Sequence, residues 1–311
     1  MDEERRDIIV VGAGAIGRIL GAGLAAGGEP AVLLDVDEAL VAQINARGVR
    51  VERDGSERQV RVDAITSVNG RRPAELVLFC VKSYVTASAA EHVRQIVDDE
   101  TTVVSLQNGW GNGDVLADCC GAERVVVGVT YNSATVTDGK VVHSGAGATL
   151  VGPYEGEDLS RAQRVADTLR AGGFEAQAAP RVREEIWKKL VLNAATLPTA
   201  ALTGLAAGQL ASHEEMLPLV DQVTREAVAV ARGLGYGIDA DERIAVIHEA
   251  LERVGDGKAS MLQDLETDRR TEIDVITGAV LRAAGEAGVD APLHRALYAL
   301  VRGAERAKGL S

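Results

Sequence analysis

Apolar positions in the first half of the chain fall into short β-rich runs separated by helical patterns. The runs are "DIIVVG", "AVLLD", "ELVLFCV" and "TTVVSL"; the stretches Ala15–Ala26, Glu38–Arg47 and Val85–Val97 between them repeat apolar residues at helical spacing. Strands that alternate with helices predict a parallel sheet with crossover helices. "VRVERDGSERQVRVDAI" instead alternates around Asp54-Gly55, which reads as a hairpin excursion. A second β-rich patch, "RVVVGVTYNSATVTDGKVVHSGAGATLVG", turns at Asp138-Gly139 and is expected to continue the same sheet. After the helical "DLSRAQRVADTLRAGG" and the run "FEAQAA", strand signals stop and the chain is helical to its end. Pro180 marks the shift, so two domains are expected, 1–179 and 180–311. The fold class is α/β: a Rossmann-type, doubly wound N-terminal domain followed by an all-helical C-terminal domain.

Composition supports this division. At 311 residues, 46% of them apolar, the chain can bury more than one core. Forty-six acidic against 33 basic residues give a net charge of -13, which repels a phosphate backbone and argues against a nucleic-acid partner. The N-terminus passes from charged residues straight into a strand-like run without a signal-peptide pattern, so a cytoplasmic protein is expected. The uncharged run 190–211 contains Asn193, Pro198, Gly204 and Gln209, which makes it too polar and broken for a membrane span of about 20 residues. Cys80, Cys119 and Cys120 lack metal-ligand spacing and read as reduced thiols, and the five histidines show no ligand pattern, so no metal site is expected.

Gly12-Ala13-Gly14-Ala15-Ile16-Gly17 follows the first strand and opens a helix. In that setting the glycines permit a tight turn, close approach of a pyrophosphate and helix-on-strand packing, with the helix N-terminus facing the phosphates. Asp35 ends the second strand 23 residues after Gly12, where a carboxylate can accept both adenosine-ribose hydroxyls and repel a 2′-phosphate. The cofactor is therefore NAD or NADP, with Asp35 favouring NAD. Asp37 is expected to cap the next helix. A nicotinamide reductant also requires a carbonyl to reduce and a proton source. Lys82 and Asn108, at the C-terminal ends of strands, stand where ligands of open α/β sheets gather.

The proton source is sought in "WKKLVLNAATLPTAALTG", where Lys189 begins an otherwise uncharged stretch. Lys189 and Asn193 are i and i+4 and share one helix face, so both can reach one small molecule. Lys188 points roughly 100° away and reads as an ordinary surface lysine.

Together, "VGAGAIG", "CVKSY", "SLQNGWG", "IWKKLVLNAATLPTAALTG" and "ASMLQDLETDRRTEIDVITG" resemble, in that order, the ketopantoate reductase family over nearly the whole chain. The resemblance implies NAD(P)H-dependent reduction of a 2-oxo acid to a D-2-hydroxy acid in a cleft between two domains. It makes Lys189 the proton donor and Asn193 its substrate-contacting neighbour. Ser260 would bind the substrate carboxylate, and Glu272 would hold the lysine or the substrate hydroxyl. Lys82 and Asn108 would line the nicotinamide and substrate region. Two positions depart from the pattern: Leu197 and Gly257 stand where ketopantoate-reducing members carry asparagines. An NAD-dependent D-2-hydroxy acid dehydrogenase acting on a bulkier, more apolar acid is therefore the sibling reading. A non-catalytic NADH-sensing protein is the reading from another class, and it would need neither Lys189 nor Glu272. The expected partner is a small 2-oxo acid, with neither nucleic acid nor membrane, and a homodimer is left open.

Overall fold

The computed structural model describes residues 5–310. Their Cα positions group into two compact units. The first runs through Gln107 and resumes over Asn112–Arg183; the second takes Asn108–Gly111 together with the chain from Glu184 onward.

In the first unit the short apolar runs become fully buried strands: β1 (Ile8–Val11), β2 (Ala31–Leu34), β6 (Leu76–Phe79) and β7 (Thr102–Ser105). Both faces of such strands are covered, so their sequences are apolar throughout rather than alternating. Between β2 and β6 lie β3 (Val49–Arg53), β4 (Ser56–Val60) and β5 (Asp63–Ile65). After β7 follow β8 (Val125–Thr130), β9 (Ser133–Thr137), β10 (Lys140–Gly145), β11 (Thr149–Pro153) and β12 (Ala176–Ala178). Eight strands form the main sheet in the order β12-β11-β8-β7-β6-β1-β2-β5, parallel except where β11 meets β8. The order reverses at β1, which pairs with both β2 and β6, and this is the switch point at which ligands of such sheets bind.

The second β-rich patch does not simply extend this sheet. β8 and β11 join it, but β9 and β10 form a hairpin that pairs through β10 with the β3–β4 hairpin, giving a separate sheet of order β4-β3-β10-β9. Asp54 (φ 52) and Gly55 (φ 73) adopt the left-handed pair that a two-residue hairpin turn requires. The small sheet packs on helix α1 (Ala15–Ala26), which also packs on β1 and β2 of the main sheet. That explains why "AIGRILGAGLAA" is apolar nearly all round. Helices α2 (Glu38–Arg47), α3 (Thr86–Val93), α4 (Asn112–Cys120) and α5 (Ser160–Ala171) complete the unit. Asp37 caps α2, its carboxylate accepting from the Leu40 N–H at 3.0 Å.

The second unit is helical: α6 (Val182–Thr203, whose first two residues group with the first unit), α7 (Ala207–Ser212), α8 (Met216–Gly233), α9 (Ala240–Val254), α10 (Ser260–Glu266), α11 (Thr277–Ala287) and α12 (Pro292–Ala307). Its core is separate from that of the first unit and is built on Trp187, Leu190, Val191, Val220, Ile247 and Ile273. Pro198 lies inside α6. The hydroxyls of Thr196, Thr199 and Thr203 accompany it, donating to carbonyls one turn back and giving this buried helix extra polar partners. No described helix is long and apolar enough to cross a membrane.

Candidate active site

In the first unit, packing explains the spacing of the glycine motif. A Cβ on Gly17 would lie 1.8 Å from the Gly12 carbonyl oxygen, and one on Gly12 would lie 2.8 Å from Val81 Cγ1. At Gly14 a Cβ would meet nothing within 4 Å. Two glycines thus close the strand-turn-helix, and the middle one leaves open space at the start of α1. No side chain caps that terminus, so the first-turn amides, Ala15 and Ile16 among them, meet the space with their dipoles exposed. Such a cradle fits the pyrophosphate of a dinucleotide.

Asp35, directly after β2, turns toward this loop. Its Oδ2 accepts from the Ala13 N–H at 2.7 Å and its Oδ1 from the Asp37 N–H at 3.0 Å. The carboxylate therefore braces the glycine turn as well as presenting charge beside it. Arg18, in α1, is a further charged residue beside this turn that the motif does not single out. It is nearly buried; burial lowers its pKa, and the Asp35 charge partly offsets that effect. Its only signal in the sequence is that it is the one charge in an apolar helix. Lys82 follows β6 and opens a short 3-10 turn, its carbonyl accepting from Val85 N–H at 3.0 Å. Cys80, half-buried beside the motif, has its thiol pushed up to about 12 by desolvation and so stays protonated.

In the second unit, Lys189 lies on α6 and its Nζ donates to Asn108 Oδ1 at 2.9 Å. Burial pulls its pKa down to about 8, and the Glu272 carboxylate acts in the opposite direction. The neighbouring Lys188 behaves differently: it bonds Glu185 at 2.8 Å, lies 3.6 Å from Glu184, and its pKa is raised, first by the Glu185 bond. One of two adjacent lysines is thus held near neutrality while the other is a fixed cation.

Asn108 reaches Lys189 because the segment 108–111 is docked on the second unit. The Trp110 N–H donates to the Val275 carbonyl at 2.8 Å, and Gly109 (φ 88) passes so close that a Cβ there would lie 2.4 Å from that same oxygen. Trp110 also joins Trp187 and Tyr236 in an aromatic cluster with ring centroids 5.7–6.4 Å apart. Trp187 and Trp110 therefore pack, as their size suggests. The anchoring of Asn108 through Trp110 was not visible in the sequence.

Asn193 is buried at 6% exposure, and its side-chain amide has no hydrogen-bond partner among the described residues. Glu272 is 8% exposed, so it is not a solvated surface acid, while its neighbours Arg269 and Arg270 bond Asp264 and Asp274. Lys189, Asn108 and Glu272 are thus brought together, with Asn193 one turn further along the same face of α6. Ser260 is exposed at the start of α10, and no hydrogen bond among the described residues ties its hydroxyl to them. Leu197, a turn beyond Asn193, is buried in the apolar core. Among the described residues there is no cluster of three or more His, Cys, Asp or Glu able to hold a metal ion.

Comparison with known proteins covers both units. Residues 8–156 match the sequence model of the family "Ketopantoate reductase PanE/ApbA", and residues 181–305 match that of its C-terminal domain. A 2-dehydropantoate 2-reductase of Halobacterium salinarum is 33% identical over 302 residues, 96% of this chain and 99% of its own. The crystal structure of a PanE/ApbA family ketopantoate reductase from Ralstonia eutropha JMP134 superposes with a TM-score of 0.86 at 31% identity, covering 97% of this chain and 99% of that one. D-mandelate dehydrogenase, in a ternary structure with NADH and anilino(oxo)acetate, shares the fold with a TM-score of 0.92 at 24% identity, covering 98% of this chain and all of that one.

Proposed function

The chain belongs to the ketopantoate reductase family, and on that premise we propose that it reduces a 2-oxo acid to the D-configured 2-hydroxy acid, with Lys189 as proton donor. The observation that carries this reading is a lysine held near pH 8 by burial, fixed at 2.9 Å by Asn108 and faced by the charge of Glu272. A general acid works best with a pKa near the operating pH. An ordinary surface lysine, such as Lys188, holds its proton too tightly.

When bound, a reduced nicotinamide dinucleotide supplies the hydride; its pyrophosphate would rest on the Gly12–Gly17 turn, with Asp35 toward its ribose and Lys82 beside its nicotinamide end. Lys189 gives a proton to the oxygen that becomes the hydroxyl. Asn108 accepts from the same ammonium and so fixes its direction. Glu272 favours the charged lysine that burial would otherwise discharge, and Asn193, with its unpartnered amide, is available to the substrate's oxygens. Ser260, exposed and uncommitted, would bond the carboxylate.

Asp35 supports NADH over NADPH, because a 2′-phosphate beside a carboxylate meets like charge and loses the ribose hydrogen bonds. Leu197 supports a substrate bulkier and more apolar than ketopantoate, since it places no donor on the lysine's side of α6. The test is a panel of 2-oxo acids assayed with NADH and NADPH at the nicotinamide absorbance. Turnover with none of them would leave a binding protein and refute the reductase.

A further inference from the structure

The last helix of the chain carries a stripe of polar residues that the chemistry above does not use. Tyr298, Arg302 and Glu305 occupy i, i+4 and i+7 of α12, so they share one face. Glu305 is completely buried, at 0% exposure, an unfavourable place for a carboxylate unless each oxygen is well bonded. Its Oε1 accepts from both the backbone N–H (2.8 Å) and the hydroxyl (2.7 Å) of Thr271, and its Oε2 accepts from Arg302 Nη1 at 2.8 Å. Tyr298 donates its hydroxyl to Asp274 Oδ1 at 2.7 Å; Arg270 bonds Asp274 Oδ2 at 3.0 Å, and Arg302 lies 3.9 Å from it. Thr271 immediately precedes Glu272, and Asp274 follows two residues later. The turn is closed further by the Ile273 N–H donating to Thr271 Oγ1 at 3.2 Å and by the Val275 and Ile276 N–H groups donating to the Glu272 carbonyl.

We propose that this face of α12 is a clamp for Glu272, with Glu305 as its principal positioning residue. Packing a terminal helix needs only apolar side chains, and α12 has them in Leu297 and Val301. A buried carboxylate that spends two bonds on the residue next to Glu272 serves a different purpose: it fixes the backbone that sets where the Glu272 charge stands relative to Lys189. The charged groups about the turn are Arg270 and Asp274 within it, Arg302 and Glu305 from α12, Lys189 from α6, and the pair of Asp264 in α10 with Arg269 just after it. The proposal rests on the reading of Glu272 as the partner of Lys189.

Its test compares Glu305→Ala, Glu305→Gln and Tyr298→Phe with Glu272→Gln, reading NADH binding, melting temperature and the pH profile of kcat/KM. Glu272 raises the lysine's pKa, so a displaced Glu272 lets that pKa fall and the alkaline limb of the profile moves to lower pH. Glu305→Ala is expected to keep NADH binding, lose at least about tenfold in kcat and shift the limb in the same direction as Glu272→Gln. Glu305→Gln, whose amide oxygen can still accept from Thr271, should recover most of the loss. Tyr298→Phe should give a smaller shift of the same sign, and it decides the matter if Glu305→Ala does not fold. A lowered melting temperature with an unmoved limb overturns the clamp. If Glu272→Gln itself leaves the limb in place, the Lys189–Glu272 pairing fails and takes the clamp with it. If Glu272→Gln moves the limb and the α12 variants do not, only the clamp fails.

Discussion

Two consecutive lysines on α6 have opposite surroundings, and that contrast makes their chemistry separable. Replacing Lys189 with Ala is expected to lower kcat by roughly 10²–10⁴-fold with NADH binding intact, the range a positioned proton donor contributes. Lys188→Ala, which only releases Glu184 and Glu185, should leave steady-state kinetics almost unchanged. The sign of the pH dependence follows from the same site. Reduction needs the protonated amine, so kcat/KM should stay level below about pH 8 and fall about tenfold per pH unit above it, where Lys189 loses its proton. A rate that rises with pH through that region would show Lys189 acting as a base or not at all. Asp35 supports a further single-residue expectation. Asp35→Ala removes a carboxylate that repels a 2′-phosphate, so the ratio of kcat/KM for NADH over NADPH should drop. Because Oδ2 also braces the Ala13 amide, NADH affinity should weaken as well.

At the scale of elements, the glycine turn assigns separate tasks to residues that look alike in the motif. Gly17→Ala forces a Cβ against the Gly12 carbonyl, a backbone atom that cannot swing aside, so the melting temperature should fall along with cofactor binding. Gly14→Ala meets open space, and the unliganded protein should melt as before while its Kd for NADH rises, since the added methyl would intrude where the proposed pyrophosphate rests. Equal destabilisation by both would contradict this division. The pattern of apolar runs anticipated these elements closely, because a buried parallel strand or an amphipathic helix announces itself over a handful of adjacent residues: Ala15–Ala26 and Glu38–Arg47 match α1 and α2 residue for residue. Both hairpins were legible for the same local reason, in their Asp-Gly turns. Their joining into a second sheet was not, because the parallel pairing of Val51 with Val141 links residues far apart in the chain and leaves no periodic trace. The site divides in the same way. Lys189 and Asn193 could be placed together from helical spacing, whereas Ser260 and Glu272 were singled out only by resemblance to a family. The Glu305 bond to Thr271 leaves no local mark, since "VRGAERAK" reads like any solvated helix face.

At the scale of the whole molecule, the two units each have their own core, and the proposed reading gives the nucleotide cradle to one and the acid–base site to the other. The substrate expectation belongs at this level because it depends on a residue from each: Asp35 in the first, Leu197 in the second. A branched or aromatic 2-oxo acid with NADH is expected to give a higher kcat/KM than ketopantoate with NADPH, at about 1–3 kcal/mol for each well-placed methylene. A clear advantage for ketopantoate with NADPH would refute both local arguments. The excursion of Asn108–Gly111 into the helical unit has a consequence for heredity. Genes recombine by exchanging contiguous stretches, yet the helical unit is written in two pieces, one of them four residues long and embedded in the other unit's text. A crossover near Arg183 would therefore hand a new helical half a loop from another sequence, whose fit to Lys189, Val275 and the aromatic cluster was not shaped with it. Chimeras made with a relative at that junction should be poor enzymes, and transplanting residues 108–111 along with the second half should restore them. Lineages of this family are thus expected to have diverged by substitution within a fixed pairing of halves more readily than by exchanging halves.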